Sequence, residues 1–141
     1  MADIGKLHHV AVVVADIDAA LAFWRDALGL DLASVKEMPE QKSKIAFLPV
    51  AGSEIELVQP TDGESGVGKY LAKRGPGMHH ICLEVRDLDA VVARLKEKGI
   101  RLIGEAPMVS AGGLRMIFVH PESASGVLVE LYESGEFAET P

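Results

Sequence analysis

At 141 residues the chain fits one compact domain able to bury roughly two thirds of its unfolded surface, and 48% hydrophobic with 25% charged residues is ordinary globular composition. A formal net charge of −7 argues against general nucleic-acid or anionic-membrane binding, since both need a basic footprint, but it leaves room for a small anion on a local basic patch. The lone cysteine, Cys82, makes no intrachain disulfide. No apolar run reaches the ~20 residues of a membrane helix, and Met1–Lys6 lacks signal-peptide character, so a cytoplasmic protein is expected.

Taken in order, residues 7–14 read as a buried strand. Asp16 and Asp18 then offer caps to a helix whose apolar stripe is Ile17, Ala20, Leu21, Trp24 and Leu28, and Gly29 ends it. Strand-like runs follow at about 31–36, 44–50 and 54–59, the last two separated by Ala51-Gly52-Ser53. Residues 60–77 form a connector with a short amphipathic helix, Val67, Tyr70 and Leu71 on one face and Lys69, Lys73 and Arg74 on the other.

At residue 78 the chain starts again. Leu7-His8-His9-Val10 through Asp16-Ile17-Asp18-Ala19 returns 71 residues later as Met78-His79-His80-Ile81 through Asp87-Leu88-Asp89-Ala90. A second helix carries Leu88, Val91, Val92 and Leu95 and stops at Gly99, and strands are expected at 101–105, 115–119 and 126–132. Each half is therefore βαβββ, with repeat one at about 6–59, repeat two at about 78–133, and an acidic tail from Ser134 expected to fray. The whole is expected to be one α+β domain, 1–141.

Alternation along strands sorts the side chains. In the second copy His79, Ile81, Leu83 and Val85 face the helix-covered core, whereas His80, Cys82 and Glu84 face the other way; His9 matches His80, and His8 matches His79. The last strand of each half turns Ile55 and Leu57, or Val127, Val129 and Leu131, inward and leaves Glu56 and Glu130 on the opposite face. A carboxylate inside Val127-Leu128-Val129-Glu130-Leu131 is costly unless paired or ligated. A divalent ion held by His9, Glu56, His80 and Glu130 answers that cost, and the mixed nitrogen and oxygen set suits zinc, cobalt, nickel, manganese or iron rather than calcium. Taken singly, each residue also has a bland reading, a satisfied structural histidine or a glutamate on a solvated edge; repetition of both types at equivalent places favours ligands.

At these residues the chain resembles the vicinal oxygen chelate superfamily, the glyoxalase, bleomycin-resistance and dioxygenase group, over about residues 6–133. Longer strings resemble its methylmalonyl-CoA epimerases: Ser65-Gly66-Val67-Gly68-Lys69-Tyr70-Leu71-Ala72-Lys73-Arg74-Gly75, Gly77-Met78-His79-His80-Ile81, Ala111-Gly112-Gly113 with Ile117-Phe118-Val119-His120-Pro121, and Gly126-Val127-Leu128-Val129-Glu130-Leu131. The resemblance implies two βαβββ modules pairing into a single curved sheet around a metal, with His9, His80, Glu130 and Glu56 as ligands and a coenzyme A thioester as substrate. It also implies a homodimer. Certain bacterial members carry a candidate catalytic Glu in the strand that here reads Lys44-Ile45-Ala46-Phe47, where Ile45 or its neighbour stands in its place.

Glu130 and Glu56 are then the candidate proton carriers, with Lys44 as a further base if it faces the site. Lys69, Lys73, Arg74 and Arg115 are candidates for the coenzyme A phosphates, against a solvated helix face as the plainer alternative. Ser110, Gly112 and Gly113 form a loop whose backbone N–H groups would approach a substrate carboxylate, unless it is only a turn. Two other functions use the same fold: a glyoxalase I-like lactoylglutathione lyase and a non-catalytic small-molecule-binding protein. An extradiol dioxygenase needs two His and one carboxylate, so the fourth candidate ligand, Glu56, weighs against it.

Overall fold

The computed structural model describes residues 4–109 and 113–133. Eight strands and three helices follow the order read from the sequence: β1 (Ile4–Val13), α1 (Ile17–Leu21), β2 (Ser34–Met38), β3 (Ser43–Val50), β4 (Ser53–Pro60), α2 (Gly66–Arg74), β5 (Gly77–Val85), α3 (Leu88–Glu97), β6 (Leu102–Val109), β7 (Arg115–Val119) and β8 (Val129–Glu133). The chain divides into two compact units, His9–His79 and Met1–His8 with His80–Pro141. The tail from Ser134, expected to fray, lies outside the described residues. No described helix is long and apolar enough to cross a membrane.

In the unit His9–His79 the strands run in the order β2, β3, β4, β1. β1 is parallel to β4, pairing Ala11 with Glu56, and the other neighbours are antiparallel. One face packs Leu57, Ala46 and Leu48 against Ile17 and Leu21 of α1, with Trp24 partly buried beside them. α1 is shorter than its stripe implies. Past Leu21 it widens into a π-type turn over Ala22–Ala27, with the Leu28 N–H donating to the Phe23 carbonyl at 2.8 Å, and this leaves Phe23 and Leu28 about half exposed. Gly29 follows with φ of +94°, a left-handed residue at which glycine carries no Cβ penalty.

The opposite face of this sheet carries a second, smaller cluster of Ala11, Ile45 and Val58, on which Met38, Phe47 and Val67 pack. Val67 belongs to α2, so the connector helix covers that face. Ser65 caps α2 by accepting from the Gly68 N–H at 3.1 Å, and Asp62 accepts from the Glu64 and Ser65 N–H groups at 3.0 Å. Those backbone bonds are the main reason the Asp62 carboxyl titrates below its ordinary value.

The other unit repeats the plan with the order β5, β8, β7, β6. Val85, Ile117, Val119 and Leu131 pack against Leu88, Val91 and Val92 of α3, the apolar stripe read from the sequence. Several strand boundaries differ from the sequence reading: β1 starts at 4 rather than 7, β2 at 34 rather than 31 and β8 at 129 rather than 126, and β6 extends to 109 through a register shift between Ile103 and Met108.

Each helix start is tied to its own module's last strand. The Ile17 N–H donates to Gln59 Oε1 at 2.8 Å, and the Leu88 N–H donates to Glu133 Oε2 at 2.7 Å. Gln59 follows Glu56, and Glu133 follows Glu130, by three residues, so each lies on the helix side while the earlier glutamate faces away. Ile17 and Leu88 are fully buried, so their N–H groups have poor access to water. Gln59→Ala is therefore expected to lower stability by about 1–2 kcal/mol, read as a lower urea midpoint at unchanged slope.

Candidate metal centre

Two histidine–carboxylate pairs, one in each unit, stand where the repeat places them. In the unit His9–His79, His9 Nδ1 lies 3.2 Å from Glu56 Oε2, with side chains 9% and 11% exposed. In the other unit His80 Nε2 lies 3.1 Å from Glu130 Oε1, with side chains 14% and 13% exposed. The local cause is the same in both: an extended β-strand presents the second histidine of the His-His pair to the helix-free face, and a neighbouring parallel strand brings the glutamate beside it.

The first members of the two histidine pairs point elsewhere and have structural company. His8 lies against Tyr132, ring centroids 4.8 Å apart. His79 meets the edge of Tyr70 at 5.0 Å, and the Tyr70 hydroxyl donates to the Met78 carbonyl at 2.7 Å, fixing α2 to the start of β5.

An aromatic wall stands beside each pair, which the sequence reading did not pick out. Phe47 is the register partner of Glu56, and Phe118 is the register partner of Glu130. Phe118 meets the His80 ring edge-on at 5.7 Å. The signal was available, because Phe47 and Phe118 are themselves 71 residues apart.

Two predicted residues fall on the wrong face. Lys44 pairs in register with Gln59 and neighbours Ala46, which packs under α1; Ile45, not Lys44, shares the face of Glu56. Lys44 is therefore corrected from candidate base to a residue of the helix side. Arg115 likewise alternates with Met116 and lies on the face of Ile117 and Val119. Its guanidinium donates to Asp89 Oδ1 at 2.6 Å and to Glu133 Oε1 at 3.4 Å, bracing α3. Hydrogen bonding to Arg115 holds the Asp89 carboxyl below its ordinary value, and the same bond raises the guanidinium.

Of the other predicted binding residues, Lys69 and Lys73 are exposed on α2, and Arg74 sits over the Tyr70 ring at 5.5 Å. Gly113 is exposed with φ of +82°, the left-handed conformation of a turn. Ser110 and Gly112 lie outside the described residues.

Each pair fits a divalent metal chemically. An imidazole stands within hydrogen-bond range of a carboxylate and both are mostly shielded from water, the mixed nitrogen and oxygen chemistry favoured by borderline transition ions.

A family model for the Glyoxalase/Bleomycin resistance protein/Dioxygenase superfamily matches residues 8–118, and the chain belongs to that superfamily. Its fold class is the one expected from the sequence, α+β with the βαβββ modules of the glyoxalase-like fold and a mixed sheet of four strands in each unit. Within the superfamily it is homologous to methylmalonyl-CoA epimerases. It is 37% identical over 133 residues to the mitochondrial methylmalonyl-CoA epimerase of Bos taurus, covering 94% of this chain and 76% of that one. It is 38% identical over 130 residues to an ethylmalonyl-CoA/methylmalonyl-CoA epimerase of Cereibacter sphaeroides, covering 91% and 97%. The crystal structure of methylmalonyl-CoA epimerase from Mycobacterium tuberculosis matches with a TM-score of 0.84 at 36% identity, covering 99% of this chain and 95% of that one.

Proposed function

We propose that this chain is an isomerase that interconverts the (R) and (S) epimers of methylmalonyl-CoA, and that His9, Glu56, His80 and Glu130 serve one divalent metal. The observation that carries the reading is the duplicated His–Glu pair, 3.2 Å in one half and 3.1 Å in the other, in a homologue of epimerases. When bound, the metal supplies Lewis-acid stabilisation of negative charge on the thioester oxygen.

The rest falls to the chain's own residues. The carbon between a thioester and a carboxylate loses its α-proton to a carboxylate within hydrogen-bond reach and regains one on the other face. Glu130 and Glu56, one from each module, are the two proton carriers in this scheme, since Lys44 is turned away. Phe47 and Phe118 stand across from the two glutamates as their register partners and supply apolar surface beside each. Lys69, Lys73 and Arg74 receive the phosphates of coenzyme A, with Gly113 and its loop beside the acyl carboxylate; Arg115 drops out because Asp89 and Glu133 hold it.

The reading extends to a single domain over 1–141, since the family match runs through both units, to cobalt, manganese, nickel or zinc as the ion, to a homodimer and to a cytoplasmic location. A lactoylglutathione lyase would share the donors but not the coenzyme A site.

Incubating metal-loaded protein with one epimer of methylmalonyl-CoA in deuterated water is expected to scramble the configuration and put one deuterium on the α-carbon. Retained chirality with no deuterium, the metal being verified as bound, rules the epimerase reading out.

A further inference from the structure

The helix-free face of the sheet in His9–His79 holds a cation that the sequence reading passed over. Lys36 pairs in register with Ile45, and Ser34 with Phe47, so Lys36 shares the face of Ile45, Phe47 and Glu56. Its Nζ lies over the Phe47 ring, 5.6 Å from the centroid, which tips the ammonium toward the row occupied by Glu56. Lys36 lies two strands across and two residues along from Glu56, which separates the two backbones by about 12 Å, and the lysine side chain spans about half of that gap.

Three features bear on this ammonium. Lys36 is exposed and, like Lys69, Lys73 and Lys98, forms no ion pair among the described residues, whereas Arg25, Lys42, Arg101 and Arg115 are each matched to an acid. On the same face stand Met38, two residues along β2, and Ile45 and Phe47 of β3, which belong to one apolar cluster, with the Phe47 ring under the Lys36 Nζ. It also has no twin: in the other module the residue across from Met116, the counterpart of Ile45, is Met108. The duplicated framework is symmetric in its His–Glu pairs and asymmetric in this charge.

We infer that the Lys36 ammonium binds an oxyanion of the thioester substrate, carboxylate or phosphate, and positions it along the Glu56 face. The inference rests on the proposed thioester chemistry. It is tested by calorimetric titration of malonyl-CoA and acetyl-CoA into the metal-loaded wild type, Lys36→Met and Lys36→Arg, after matched urea midpoints have shown all three equally folded. Lys36→Met is expected to weaken malonyl-CoA binding by roughly tenfold, as for a charge-assisted contact partly open to solvent, and Lys36→Arg to restore most of it. A penalty confined to malonyl-CoA identifies the carboxylate, and an equal penalty on acetyl-CoA identifies a phosphate. Equal malonyl-CoA affinities in wild type and Lys36→Met, or a wild type that does not bind malonyl-CoA, overturn the inference. Lys36-dependent binding in a protein that exchanges no α-proton retires the epimerase reading alone.

Discussion

Glu130→Ala is expected to lose stoichiometric metal and to epimerise methylmalonyl-CoA more than about 100-fold more slowly, since altering even a residue that only supports a metal ligand costs 10- to 100-fold. The reason lies in how the strand buries it. Glu130 sits between Val129 and Leu131, and its side chain is only 13% exposed beside His80. Removing the carboxylate takes away an anionic donor and leaves the imidazole without its 3.1 Å partner. Metal content by plasma emission and the rate of epimerisation are the two readouts. An unchanged metal content refutes the ligand assignment, whatever the activity does.

Gly68→Ala is expected to unseat α2. A Cβ built on Gly68 would lie 2.3 Å from the Asp62 carbonyl oxygen and 3.0 Å from Gly63 Cα, both backbone atoms of the turn that Asp62 itself organises. Nothing flexible is there to give way. Overpacking of this kind costs typically 1–3 kcal/mol, and relief requires either the helix or the turn to shift. Because Val67 carries α2 onto Ala11, Ile45 and Val58, the shift opens the face that holds His9 and Glu56. The expected result is a lower thermal midpoint with faster amide exchange in 66–74. A midpoint equal to the wild type would show that the turn tolerates a methyl group.

The two predictions differ in how far the sequence alone supports them. Glu130 was legible because a charge in an apolar run violates the strand's own pattern, and the repeat supplied its equivalent, Glu56. The clash at Gly68 was not legible, since it depends on how a turn folds back over the first turn of α2. Faces were read correctly wherever alternation was strict, as for His9 and His80. Lys44 was named on the condition that it faced the site, which the register does not meet, and Arg115 was chosen for charge and nearness to the glycine loop without regard to parity; a one-residue step along a strand changes the face completely. Lys36 was missed for a related reason: the reading gave β2 three extra residues at its start, and its register to β3 depends on pairing that no local pattern specifies.

The bonds from Gln59 to the start of α1 and from Glu133 to the start of α3 span 42 and 45 residues. Each helix has a local cap, from Asp16 or Asp87, but the N–H of its first residue finds a side-chain partner only when the final strand of its own module has arrived. That arrival is also what sets Glu56 or Glu130 beside its histidine, three residues before the cap. Docking of each final strand therefore serves two ends of the module at once, completing the hydrogen bonding of the helix start on one face and the histidine–glutamate pair on the other.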